Sequence, residues 1–160
     1  MEGDKELFIE IEMSALVYPT EDEGKVLRAM QTIVPFSEED VEVYGDVIKE
    51  VVVRKEGYES LIKLRSSFRN NRVLDTARSL LITSRGKLKT LLFHKQAAYV
   101  GKVRLCDDDS MSPLGTIRLK IRYEGDPIIL ANWLTPRTEK GKIVEEATTR
   151  ELLYGRADID

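Results

Sequence analysis

The segment LFIEIEM at 7–13 alternates without exception: Leu7, Ile9, Ile11 and Met13 face one way, Glu6, Glu10 and Glu12 the other. A period of two predicts a strand with one face on a core and one in water. TIRLKIRY at 116–123 repeats it, with Ile117, Leu119 and Ile121 inward and Arg118, Lys120 and Arg122 outward. Between these strands the period lengthens. Val26, Leu27, Met30, Ile33 and Val34 share a helical stripe that opens at a Thr20–Glu23 capping box and stops at Pro35. Strands are predicted at 41–45 and about 47–54. Tyr58, Leu61, Leu64 and Phe68 mark a helix broken at Asn70–Asn71. Another starts at Arg72, with Val73, Leu74, Ala77, Leu80 and Leu81 inward and Gly86 in the C-cap position. Strands near 90–97 and 99–106 follow, then the loop DDDSMSPLG. Asp126 and Pro127 open a helix that runs through Leu134. Residues 137–160 are weakly patterned, with a strand at 142–144 and a short helix at 145–154.

The predicted order is β-α-β-β-α-α-β-β-β-α. Strands grouped between helices imply an α+β fold, a mostly antiparallel sheet with helices packed on one face and the other face open to water. Residues 1–138 read as a single α+β domain and 139–160 as a C-terminal extension. FHKQAAYVGKVRL at 93–105 fits this scheme least well. Lys95 and Gln96 interrupt the alternation, which predicts a strand edge or bulge. Ala97, Ala98 and Gly101 mark places where the backbone passes close to a neighbour.

Composition changes the picture mainly through charge. The chain has 160 residues, 42% hydrophobic and 33% charged, with a net charge of −3. The charge is unevenly placed. Residues 1–50 carry 4 basic and 14 acidic side chains, and residues 54–104 carry 13 basic and 3 acidic. One cysteine, Cys106, excludes an internal disulfide and a cysteine-rich zinc site. No apolar run is long enough to cross a membrane, and MEGDKELF lacks a signal-peptide core, so the cytoplasm is the expected location.

Enzyme chemistry finds little support. His94 is the only histidine, no serine sits in a nucleophile elbow, and no phosphate-cradling glycine motif occurs. Asp107–Asp109 could attract a hard cation but lacks calcium-loop spacing. No cofactor or metal is expected. The basic residues divide by whether a local acid explains them. Lys63, Arg72 and Arg78 each have one at helical spacing. Arg65 and Arg69 stand four apart with no acid of their own helix within reach, and Arg85, Lys87 and Lys89 crowd one loop. Lys102 and Arg104, with Arg118, Lys120 and Arg122, face outward from strands, where Glu10, Glu12 and Glu42 could neutralise them.

YPTEDEGKVLRAMQTIVP (18–35), RVLDTARSLL (72–81), FHKQAAYVGKVRL (93–105), SPLGTIRLKI (112–121) and WLTPRT (133–138) resemble an archaeal family of small, predicted RNA-binding proteins. The resemblance spans roughly 7–138. It implies a fold similar to that of the large-subunit ribosomal protein that binds 5S rRNA, and it brings no catalytic residues. The family often carries asparagine where this chain has His94. The expectation is a noncatalytic RNA-binding domain that contacts the phosphate backbone of structured RNA. The expected contacts are Arg65, Arg69, Arg72, Arg85, Lys87, Lys89, Lys95, Lys102 and Arg104, with Gln96 as a polar reader. The alternative is a protein-interaction module, a homodimer among them, without RNA. A third reading is a metal-dependent hydrolase using Asp107–Asp109.

Overall fold

The alternating segment near the start becomes the centre of the sheet. β1 (Ile9–Val17) turns Ile9, Ile11, Met13, Ala15 and Val17 inward, and Glu10, Glu12 and Ser14 outward. It pairs antiparallel with β3 (Lys49–Glu56) on one side and β6 (Thr116–Tyr123) on the other. β2 (Val41–Tyr44), β4 (Leu88–His94) and β5 (Leu105–Cys106) complete a six-stranded sheet of order β2-β3-β1-β6-β4-β5, antiparallel at every ladder. The computed structural model describes residues 5–70, 73–83 and 86–155.

One face of the sheet carries the helices: α1 (Glu23–Ile33), α2 (Ile62–Asn70), α3 (Leu74–Thr83), α4 (Lys95–Tyr99), α5 (Pro127–Leu134) and α6 (Thr149–Tyr154). Their apolar stripes meet the inward strand residues in one core. Met30, Leu64, Phe68, Leu81, Trp133 and Leu152 pack there with Ile11, Met13, Phe93 and Leu119. α5 is buried from Ile129 through Leu134, a central helix rather than a surface one. Val52 and Cys106 are buried too, but they point to the helix-free face and lie outside this core. The α+β class and the one-sided packing are therefore as the pattern predicts.

Three local expectations change. α1 is capped by Asp22, whose carboxylate accepts from Gly24 N–H and Lys25 N–H, and not by a Thr20–Glu23 box. The weakly patterned tail holds a hairpin of β7 (Arg137–Glu139) and β8 (Lys142–Glu145), of which only the second strand was expected. α6 then contributes Leu152 to the core.

The largest change is at 95–99. KQAAY is neither a strand edge nor a bulge but the short helix α4. His94 is its N-cap, with Nδ1 accepting from Ala97 N–H at 3.1 Å. Asparagine can make the same bond, so the exchange of the two residues keeps the cap. At the other end Gly101 N–H donates to Ala98 O and Lys102 N–H to Ala97 O, the paired bonds of a Schellman motif. Gly101 has φ +78°, and a Cβ there would meet nothing within 4 Å, so it serves this left-handed turn and not a close approach. Ala98 does fill a close contact: it is buried where Thr32 of α1 donates to its carbonyl.

Candidate nucleic-acid interface

The expected contact residues scatter. Arg72 and Arg85 lie outside the described residues. Lys95 and Lys89 are interior side chains. Lys95 is fully buried, and its ammonium donates to Leu16 O at 2.8 Å, Leu114 O at 2.7 Å and the Glu21 carboxylate at 3.1 Å. It cannot meet a phosphate without leaving the fold. Glu21 also accepts from Tyr18 N–H and the Tyr99 hydroxyl. Burial alone would raise the Glu21 pKa. The Tyr18 amide, the Tyr99 hydroxyl and Lys95 outweigh it and hold the carboxyl below its ordinary 4.5. Burial pulls Lys95 the opposite way from a surface pair, below its usual value, and Glu21 offsets only part of that. Lys89 belongs to β4 rather than to a loop. It follows the alternation of Leu91 and Phe93 to the covered face, where burial lowers its pKa.

Arg65 and Arg69 share a flank of α2, but they are not bare. Arg65 Nε donates to Trp133 O at 2.8 Å and its guanidinium lies 5.1 Å from the Trp133 ring centre. Both arginines bond the same oxygen of Glu146, Arg65 at 2.6 Å. Their partner comes from 77 and 81 residues along the chain, which the absence of acids within α2 could not reveal. Lys87 is exposed beside Glu124 at 3.2 Å. Gln96, Lys102 and Arg104 are exposed.

The helix-free face is divided in charge. On β3 and β1 it presents Glu50, Arg54, Glu56, Glu10 and Glu12. Arg54 bonds both Glu12 and Glu42, each at 3.1 Å. Those are two of the acids expected to neutralise β6. Glu10 stands opposite Arg122 and Glu12 opposite Lys120 in register, yet neither cation has a carboxylate of the described residues within 4.0 Å. Beyond β6, β4 presents only the neutral outward residues Leu88, Thr90, Leu92 and His94. Arg104 leads into β5 on this same side, its carbonyl accepting from His94 N–H. Of the outward cations on this half, Arg118 is matched, by Asp109 at 3.0 Å. Lys120, Arg122 and Arg104 are not, among the described residues, and neither is Lys102, which is exposed in the turn after α4. Along β6 successive outward cations are spaced by about 6.8 Å, two residues of strand rise.

The remaining chemical candidates have structural roles. Asp108 caps a short helical turn by accepting from Ser110 N–H, and Asp109 binds Thr116 and Arg118. No cluster of metal-binding side chains occurs among the described residues. His94 is drawn below its ordinary 6.5 by burial and by Arg104, which favours the neutral ring that its cap requires. Cys106 is buried and its thiol is pushed up, chiefly by that burial. No described helix is long and apolar enough to cross a membrane.

The chain is an α+β domain whose antiparallel sheet carries helices on one side and cations along half of the other, and the comparisons place it in a family. A family described as RNA binding matches residues 10–123, and the chain belongs to it. Its relatives include a UPF0201 protein of Sulfolobus acidocaldarius, 38% identical over 81% of this chain and 88% of the relative. A UPF0201 protein of Thermococcus kodakarensis is 40% identical over 88% and 99%. The crystal structure of a UPF0201 protein from Methanococcus jannaschii superposes with a TM-score of 0.70 at 28% identity, over 85% of this chain and 99% of that one.

Proposed function

We propose that the chain is a noncatalytic RNA-binding domain that takes the phosphate backbone of structured RNA onto the helix-free face of its sheet. The observation that carries this reading is the set of cations Lys120, Arg122 and Arg104 on the β6-β4-β5 half, none in an ion pair among the described residues, with Lys102 exposed close by in sequence. Arg118 and Lys87 border them, while Gln96 is exposed on α4, on the helix side of the sheet. The face has no exposed aromatic platform along β6 or β4, so it suits backbone and shape more than base stacking. The acidic β1–β3 half repels phosphate and confines the contact to one side. Compared with the residue list drawn from sequence, Lys89 and Lys95 drop out as buried, and the weight moves from α2 to the sheet.

The test is a titration of a folded RNA hairpin at a series of salt concentrations, with the RNA recovered and sized afterwards. Binding should weaken with salt, with a slope of about 0.7–0.9 per phosphate neutralised, and the RNA should come back intact. Salt-insensitive binding, or none at micromolar protein, contradicts the reading.

A second reading has its own observation. β2 is an edge strand, and Val43, Tyr44, Val47 and Ile48 are exposed on it and its turn. An uncovered edge of this kind can pair with a second copy. Sedimentation decides: a monomer at high concentration removes a homodimer through this edge.

A further inference from the structure

We propose that Arg65 and Arg69 form a phosphate-binding site on the helix side, which Glu146 fills in this structure as a built-in carboxylate stand-in. The site is separate from the sheet face and does not depend on it. α2 sets the two guanidiniums side by side, where like charges repel. Arg65 is already aimed, since its Nε is bound by Trp133 O and its plane rests near the Trp133 ring. Against two positive charges stands one carboxylate, bonded by both through a single oxygen. Arg69 Nε is buried and has no hydrogen-bond partner among the described residues. Burial and the neighbouring Arg65 together lower the Arg69 pKa, the signature of an under-compensated cation. A terminal or free phosphate brings three or more acceptor oxygens and a larger charge, and any phosphate, a backbone diester included, can take a bidentate bond that one carboxylate oxygen leaves unmade.

The surroundings leave room for exchange. Arg69 borders a cleft of 410 Å³ with Leu74, Asp75, Thr138 and Gly141. The hairpin on its far side is exposed at every residue of β8, and Thr138 Oγ1 ties it to α3 by donating to Asp75 at 2.7 Å. That bond engages one oxygen of Asp75, the acid an incoming anion would meet. Glu146 follows β8 directly and its side chain is 30% exposed, so water reaches the pair that a phosphate would replace. Ala147 and Leu152 anchor the chain beyond it, so Glu146 can withdraw without the tail leaving the core.

The experiment uses the full chain and its Glu146→Gln variant, melted in millimolar inorganic phosphate against chloride at equal ionic strength. Phosphate should raise the melting temperature of Glu146→Gln clearly and that of the native chain little. Adding Arg69→Ala to Glu146→Gln should abolish the rise. If Glu146 closes the site nine-tenths of the time, its removal tightens phosphate binding about tenfold. Should Glu146→Gln fail to fold, Glu146→Asp keeps the charge but withdraws it, and should respond between the two. Equal responses to phosphate and chloride in the variants, or a response that survives Arg69→Ala, overturn the proposal. Short RNAs carrying a 5′-phosphate or a 5′-hydroxyl then separate the sources. A preference for the first assigns a terminal phosphate, equal tightening of both by Glu146→Gln assigns the backbone, and tightening of neither leaves free phosphate as the ligand.

Discussion

The two faces of the sheet use positive charge in opposite ways. On the covered face Lys95 is sunk among two carbonyls and a carboxylate, and Arg65 and Arg69 hold the tail through Glu146. On the open face Lys120 and Arg122 stand opposite Glu12 and Glu10 in register and yet make no ion pair among the described residues; Glu12 is bound by Arg54 instead. Proximity in sequence misjudges both. The cations with no local acid are the ones that are paired, and those with acids directly across a ladder are the ones left free. Whether a cation serves fold or ligand is thus decided by which carboxylate reaches it first in three dimensions.

The comparison predicts that covered-face changes act on stability and open-face changes on binding. The largest effect should come from Lys95→Ala, which strands the nearly buried Glu21 and should cost about 3–5 kcal/mol by chemical denaturation. A loss well under 1 kcal/mol would mean that Lys95 is not the buried anchor described. The pair also has a pH signature. Glu21 titrates below its ordinary 4.5 in the fold, so its contribution is complete above that value and is lost as pH falls through the lower folded one.

Next in size is the α4 cap. His94→Ala should cost about 1 kcal/mol and His94→Asn much less. Because the folded His94 pKa lies below its ordinary 6.5, the cap is intact above 6.5 and fails as pH drops through the folded value. Denaturation midpoints measured from pH 7 down to 5 should show a slope that His94→Asn removes. A slope that persists in His94→Asn belongs to another group. Smaller still should be the stability effect of Arg54→Gln, which removes an exposed, solvent-screened double pair. It sharpens the contrast by freeing Glu12 to approach Lys120 across the β1–β6 ladder, so it should weaken RNA binding while barely moving stability. Unchanged binding would show that Glu12 does not compete for β6.

Much of the fold was legible because its strands are long and one-sided: LFIEIEM and TIRLKIRY carry their own register, and Asp126–Pro127 announces a helix start. α4 was not, since five residues are too few for a helical period. Its signals sit at its ends, in the His94 cap and in Gly101 as the left-handed residue after it. Lys89 could have been placed, because counting back by twos from Phe93 and Leu91 turns it inward. The partners of Lys95 and Arg65 lie 74 and 81 residues away, and no local pattern reports a contact of that range. Lys89 and Lys95 were therefore expected at the surface and are buried, while Lys102 and Arg104 are exposed.

The most direct measurement of the central claim is the salt dependence of RNA hairpin binding for the native chain beside Lys120→Gln/Arg122→Gln. Both residues lie outside the core, so the variant should melt with the native chain to within about 0.5 kcal/mol. Its salt slope should fall by nearly two units, at about 0.7–0.9 for each lost phosphate contact. An unchanged slope in a fully folded variant would contradict the assignment of the open sheet face as the RNA-binding surface.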